Sequence, residues 1–400
     1  MKIDLVSEHA SPLAALGGAD AGGQNVHVAS LATALAGRGH DVAVYTRRDG
    51  PELPDAMSPW PGVTVEHVPA GPPRPLPKDD LLPYMPAFAE WLADRWSAGR
   101  PDVVHAHFWM SGLAAVMAAR RCPLPVVQTF HALGRVKRRY QARADTSPPQ
   151  RIRLERIVAQ RASAVIATCT DEVTELAAYG ARPDHTHVVP CGVDCDRFRP
   201  GGLAPRRDGP ARVLTLGRLV PRKGVDTVIA AIADVPGAQL IVAGGPERAR
   251  LDDDPEVARL RAVARDARVR SRVTFTGRIG HEQVPALMRS ADVIVSDPWY
   301  EPFGMVTLEA MACGAAVIAS GVGGHLDTVA DGVTGLLVPP RDPGALAGRI
   351  RYLLADPGRR RVLGAAAAAR ARSRYSWARI AAEAEAVYAG LRLGQAVSAR

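Results

Sequence analysis

Long apolar runs are missing from this sequence of 400 residues. No stretch approaches the roughly 18 consecutive apolar residues that a membrane-spanning helix requires. The opening MKIDLVSEHASPLAALGGADAGG is interrupted at Asp4, Glu8 and His9 before a long apolar segment can form, so no secretory signal is expected. Paired cysteines are missing as well. The five present (Cys122, Cys169, Cys191, Cys195 and Cys313) are odd in number, scattered and free of any CxxC pair. That argues against a disulfide scaffold or a zinc site and for a reducing compartment, here read as the cytoplasm. Aromatic residues are scarce at 5%, too few for the stacking platforms of single-strand nucleic-acid binders.

What is present is ordinary soluble composition, with 47% apolar and 23% charged residues. A chain of this length exceeds what one core usually serves, so two domains are expected. Lys and Arg outnumber Asp and Glu by 50 to 41, a net charge of +9. Such a balance suits nucleic acid, an anionic surface or a phosphorylated substrate, and by itself separates none of them.

Read along the chain, an apolar strand at 2–7 leads into a Gly-rich loop (Gly17, Gly18, Gly22, Gly23), a helix over 24–38 and a strand at 41–45. Strand, loop, helix, strand is the pattern of a parallel sheet. Further strands are predicted at 63–68, 102–106, 125–129 and 164–167, with the Pro-rich 69–77 as a loop between units. Periodicity fades over 191–210 and then restarts: strand 212–216, helix 225–232, strands 239–242, 272–275, 292–295 and 316–318. The expected architecture is α/β, two doubly wound domains over 1–195 and 211–375, with helices at the C-terminal end of the chain. Ligands of such sheets sit beyond the carboxyl ends of the strands, and two facing domains would place the site in a central cleft.

Two constellations carry chemistry. In GRLVPRKG (217–224), Arg218 and Lys223 stand between a strand end and a helix start. Cations there oppose the helix macrodipole at about 0.3–1 kcal/mol each, which makes sense when a phosphate shares the spot with backbone N–H groups. A solvated basic loop is the plainer alternative. In WYEPFGMVTLEAMACG (299–314), Pro302 and Gly304 keep Glu301 out of a helix that is predicted to start near Met305 and end at Gly314. Glu301 then stands at a loop tip and Glu309 inside the helix, two carboxylates able to read different hydroxyls of one ligand. Paired glycosidase carboxylates are the rival reading, but they would leave Arg218 and Lys223 without an anion.

The Glu-x7-Glu segment, the GVGG at 321–324, the DGVTGLLV at 331–338, GRLVPRKG, the N-terminal GGQN and the closing Tyr375-Ser376-Trp377 together resemble the retaining glycosyltransferases of family 4. The resemblance spans essentially the whole chain in the right order. It implies the GT-B fold, two Rossmann-like domains, with the nucleotide-sugar held mainly by the second and residues 376–400 as a helix packing back toward the first. It further implies that Arg218 and Lys223 clasp the donor diphosphate, that Glu301 binds donor-sugar hydroxyls and that Glu309 binds the ribose. Gly304, Met305 and Val306 would offer backbone N–H groups, Gly277 and Arg278 would contact the base through backbone, and Gly22 and Gly23 would let the loop approach the diphosphate. His131 matches the active-site histidine, expected against the donor sugar. No cofactor and no catalytic metal is implied. Transfer would retain anomeric configuration by front-face substitution.

Within the family, HAHFWMSG (105–112), HALGRVK (131–137) and PPQR (148–151) are most similar to sucrose-phosphate synthases and to the mycothiol-pathway transferase that acts on inositol phosphate. Lys78, Lys137 and Arg151 match positions where those relatives bind an acceptor phosphate, and His107 lies near the acceptor side. Lys137 with Arg138 and Arg139 otherwise reads as a solvated face. Phe108 and Ala132 depart from the tyrosine and threonine of the inositol-phosphate enzyme, which leaves room for a transferase of specialised metabolism with a non-phosphorylated acceptor. The implied partners are a nucleotide-sugar, uridine-linked by preference, and a small polar acceptor, with a homodimer left open. A GT-B sugar-nucleotide epimerase and a non-catalytic binder of nucleic acid or anionic surfaces are the alternatives from other classes.

Overall fold

The structure is a computed structural model that describes residues 1–14, 22–202 and 209–398, with side chains described to residue 392. Gly17 and Gly18 of the N-terminal loop and part of the predicted linker lie outside the described residues. The chain packs as two compact units, Met1–Gly192 with Trp377–Arg400, and Val193–Ser376.

The first unit is built on strands β1 (Lys2–Val6), β2 (Asp41–Arg47), β3 (Ala56–Trp60), β4 (Val63–Val68), β5 (Val103–His107), β6 (Val126–Thr129), β7 (Ala164–Ala167) and β8 (Thr186–Val188). Their order is β3-β4-β2-β1-β5-β6-β7-β8, and only the β3–β4 pair is antiparallel. Central strands of a parallel sheet are covered on both faces, which is why they read as continuous apolar runs. β5, for example, is buried at every position. The edge strands carry no such signal. β3 is AMSPW, with a proline and three exposed residues, and β8 is three half-exposed or exposed residues. Proline and short length are what a sheet edge tolerates.

The helix Trp377–Ser398 belongs to this first unit. Its Ile380, Ala381, Ala384 and Tyr388 are buried in one cluster with Ile3, Leu5, Leu31, Leu35 and Val44.

The second unit has a sheet of β9 (Ala211–Leu216), β10 (Ala238–Ala243), β11 (Val273–Gly277), β12 (Val293–Ser296), β13 (Val317–Ser320) and β14 (Leu336–Val338), ordered β11-β10-β9-β12-β13-β14 and parallel throughout. Among the described residues no helix is long and apolar enough to cross a membrane.

The strand order itself marks where ligands bind. In each sheet the chain winds outward in one direction and then crosses back, so the order reverses between β1 and β5 in the first unit and between β9 and β12 in the second. Loops leaving the carboxyl ends of such a pair diverge and open a crevice. In the second unit those loops carry Arg218 and Lys223 after β9, and Glu301 after β12. In the first they carry Gly22 and Gly23 after β1, and Phe108 after β5, with His131 one strand further on.

Candidate active site

In the second unit, β9 ends at Leu216 and the chain turns through Gly217 and the exposed Arg218 into a 3-10 turn, Pro221–Lys223. Gly224 then starts the helix Val225–Ala233 in a left-handed conformation, φ +67°. A Cβ there would lie 1.9 Å from the carbonyl oxygen of Asp297, so only glycine lets the β9 and β12 loops approach this closely. Trp299 N–H donates to the Arg222 carbonyl at 2.9 Å and ties the same loops together.

The result is a direct ion pair between Lys223 Nζ and Glu301 Oε2, across 78 residues of sequence. Burial pushes the Glu301 carboxyl up, but the Lys223 and Arg222 charges outweigh it and hold the group at about 2. Burial lowers the Lys223 ammonium, against the pull of Glu301. Glu301 is ionised at neutral pH.

Behind Glu301 runs the GVGG segment. Gly324 N–H donates to the Glu301 carbonyl at 3.0 Å, and a Cβ on Gly323 would lie 2.1 Å from that same oxygen. The motif is thus explained by backbone packing against the 301–303 loop. Gly304 (φ +95°) caps the helix Met305–Ala312, whose cap offers no side-chain acceptor. The first N–H groups of a helix have no partner within it, and those of Met305 and Val306 are among them. Glu309 lies one turn in, half-buried, with His281 Nε2 at 4.0 Å. At the end of β11, Gly277 (φ +75°) accepts from Gly244 N–H at 2.9 Å, and Arg278 N–H is engaged by the Pro246 carbonyl at 2.8 Å. A backbone contact from Arg278 to a base would therefore use its carbonyl.

In the first unit, His107 closes β5 and His131 follows β6. His107 Nδ1 and His131 Nε2 are 3.0 Å apart, and burial holds both rings well below the ordinary imidazole value. His107 is fully buried with its ring stacked on His131. Gly22 is extended (φ −158°), and a Cβ there would meet nothing within 4 Å among the described residues.

Lys137 and Arg151 converge on one atom. Lys137 Nζ donates to Ser147 Oγ at 2.9 Å, and Arg151 donates to the same oxygen at 3.1 Å. Lys137 also pairs with Asp145 at 3.0 Å. Arg151 is 2% exposed and further donates to Glu155 at 2.7 Å and to the Ala132 carbonyl at 2.5 Å, with its guanidinium 5.1 Å from the Phe108 ring. Lys78 opens the turn Lys78–Asp80, and its neighbour Asp79 accepts from Thr146 at 2.6 Å, which joins that turn to the 145–147 loop.

Known proteins resemble this chain over most of its length. The family described as Glycosyltransferase Family 4 matches residues 21–197, and the one described as Glycosyl transferases group 1 matches residues 204–370. A D-inositol 3-phosphate glycosyltransferase from Acidothermus cellulolyticus is 39% identical over 396 residues, covering 94% of this chain and 87% of that protein. The chain belongs to glycosyltransferase family 4. A solved sucrose-phosphate synthase from Thermosynechococcus elongatus superposes on this glycosyltransferase with a TM-score of 0.90 at 34% identity, covering 98% of this chain and 99% of that one. Anabaena HepE, solved with UDP and glucose, shares the fold at a TM-score of 0.74 and 23% identity, covering 97% of this chain and 99% of that one. Two parallel-sheet α/β domains make this the GT-B fold.

Several residues that shape the glycosyltransferase's site are not visible from its motifs. Glu155 is fully buried and accepts from Arg151, from Gly134 N–H (2.9 Å) and from Tyr179 Oη–H (2.7 Å). It fixes Arg151 and the start of the helix Gly134–Gln141 together. Its only sequence signal is the i, i+4 spacing from Arg151. His325 is buried against Gly304, where a Cβ would lie 2.5 Å from its ring. Its Nδ1–H donates to the Ser320 carbonyl at 3.0 Å, which leaves Nε2 to accept from Thr307 at 3.0 Å. His27 reads as one more residue of an N-terminal helix, yet its ring lies 4.9 Å from that of His131.

Proposed function

We propose that the chain is a retaining glycosyltransferase that moves a sugar from a uridine diphospho-sugar to a small, polar, phosphorylated acceptor. The acceptor half of the reading is carried by the convergence of Lys137 and Arg151 on Ser147 Oγ. Both cations also pair with carboxylates, Lys137 with Asp145 and Arg151 with Glu155, and a phosphate oxygen in place of the Ser147 hydroxyl adds an ionised acceptor between two ionised donors. Two curated or solved relatives bear names with phosphorylated sugars or cyclitols, and their likeness covers nearly the whole chain. Lys78 completes the set from the turn tied to the same loop.

For the donor half, Arg218 and Lys223 receive the diphosphate, helped by the first N–H groups of the helix Met305–Ala312. Glu301 pairs with Lys223. Donor entry exchanges that partner: the ammonium turns to the diphosphate, and the carboxylate takes sugar hydroxyls. Glu309 reads the ribose and the Arg278 carbonyl the base. As the anomeric C–O bond to the diphosphate breaks, negative charge grows on the leaving oxygen beside Lys223 and Arg218, where fixed cations are most useful. That oxygen takes the proton from the attacking acceptor hydroxyl on the same face, so configuration is retained. His131 is neutral and too weakly basic at neutral pH to hold the acceptor's proton, which fits a contact with the donor sugar. The charge task falls to side chains, so no metal or cofactor is assigned to catalysis. A reducing interior suits the five cysteines, none of which is in a disulfide.

Melting temperature against UDP, GDP, ADP and TDP, with Lys223→Met as control, tests the donor assignment. A ligand at a hundred times its Kd adds about 2.7 kcal/mol, a shift of several degrees. UDP should shift the wild type alone. Equal shifts in wild type and variant would remove the diphosphate clasp.

A further inference from the structure

A group of imidazoles lies at the carboxyl ends of β5 and β6 in the first unit, and only His131 among them has a proposed part in transfer. One ring nitrogen each from His27, His107 and His131 lies within 4.8 Å of the other two. His107 Nδ1 and His131 Nε2 are already 3.0 Å apart. Three nitrogens bound to one tetrahedral zinc ion stand about 3.3–3.4 Å from each other, from Zn–N distances of about 2.0–2.1 Å. The pair needs to open by only a few tenths of an ångström, and His27 to swing in.

Two further observations favour a ligand here. Among the described residues, the buried His27 Nδ1 has no hydrogen-bond partner, a condition that ordinarily costs about 1–3 kcal/mol and that a bound ion relieves. The backbone is also held in place: Phe108, next to His107, has φ +81°, and His131 has φ +60°. Left-handed backbone at residues other than glycine is strained and persists where surrounding structure fixes it.

We propose that His27, His107 and His131 form a binding site for a divalent transition-metal ion of the Zn2+ class, with a fourth position open on the half-exposed His131 side. The all-nitrogen set favours Zn2+, Co2+, Ni2+ or Cu2+ and disfavours Mg2+ and Ca2+, which take oxygen ligands. The site is inhibitory, a consequence that rests on the proposed seat of His131 against the donor sugar, since coordination turns the ring to the ion and sets a cation at that seat.

The test is calorimetric titration of the full chain with Zn2+, together with the visible spectrum of its Co2+ form. The expected result is one ion per chain, unaffected by excess Mg2+, with bands of a four-coordinate Co2+ ion and no thiolate charge-transfer band. His27→Gln and His107→Gln should each weaken binding by at least about a hundredfold, since loss of even an outer-shell partner costs about 10–100-fold. A His27→Gln chain that melts like the wild type and binds Zn2+ equally well would overturn the site, as would a thiolate band or affinity no tighter than millimolar. If either variant fails to fold, the wild-type Co2+ spectrum and stoichiometry decide. Bound Zn2+ should stop transfer until a chelator removes it. Tight one-to-one binding with unchanged turnover would leave the metal site standing and take His131 out of the sugar site.

Discussion

Replacing Glu301 by glutamine should separate nucleotide binding from sugar transfer. The Lys223 ammonium and the Glu301 carboxylate are in direct contact, and the carboxyl, held at about 2, is ionised throughout the neutral range. At an effective dielectric of about 20, unit charges about 4 Å apart attract by roughly 4 kcal/mol. UDP has to compete with that carboxylate for Lys223. If the substitution relieves only a third of the competition, about 1.4 kcal/mol, UDP binds about tenfold more tightly. Turnover should move the other way. Losing a charged contact that strengthens as the sugar takes on positive character costs on the order of a hundredfold in kcat. Calorimetry gives the UDP Kd, and UDP release from the UDP-sugar in the presence of acceptor gives kcat. UDP affinity that falls in step with kcat would refute the partner exchange and place Glu301 in nucleotide binding itself.

Other substitutions test the supporting structure. Arg151→Ala should destabilise the first unit by about 3–5 kcal/mol, because it leaves the carboxylate of Glu155 buried and uncompensated, and thermal unfolding should show it as a loss of roughly 10 °C. A shift under about 2 °C would mean that Glu155 is not held by this pair. Gly304→Ala should destabilise the second unit by about 1–3 kcal/mol, since it combines a φ of +95° with a Cβ 2.5 Å from the His325 ring; the added substitution His325→Ala should recover part of that loss by removing the clash. The Glu301 carboxyl falls from its ordinary 4.5 to about 2 on folding, so its contribution is fully present above about pH 4.5 and is lost as pH falls toward 2. Denaturant titrations of wild type and Glu301→Gln should therefore converge in that window, and parallel curves would contradict the assignment.

Much of the fold was legible because the central strands are covered on both faces and show as apolar runs. β3 and β8 escaped that reading for the complementary reason: an edge strand of three to five residues, one containing Pro59, has no apolar run to show, whereas β14 is apolar but only three residues long. The backbone of the two segments proposed for the donor was legible too, since glycine at 224 and 304 marks conformations that no other residue adopts comfortably. What remained hidden was partnership. Nothing local joins Lys223 to Glu301, and only the adjacency of β9 and β12 does so. His27 sits in a helix whose apolar pattern accounts for it fully, and its neighbours His107 and His131 arrive from two other strands. Ser147, where Lys137 and Arg151 meet, is one serine in a loop.

The central claim is that the acceptor carries a phosphate held by Lys137 and Arg151. It is tested most directly by initial rates with UDP-glucose or UDP-N-acetylglucosamine as donor and inositol phosphate or a hexose phosphate as acceptor, each beside its dephosphorylated counterpart, in wild type and Lys137→Met. A charge-assisted contact worth about 1.5–3 kcal/mol predicts a kcat/KM at least about tenfold higher for the phosphorylated member, and the variant should lose most of that preference with little change in melting temperature. Equal kcat/KM for the two members of every productive pair would contradict the account.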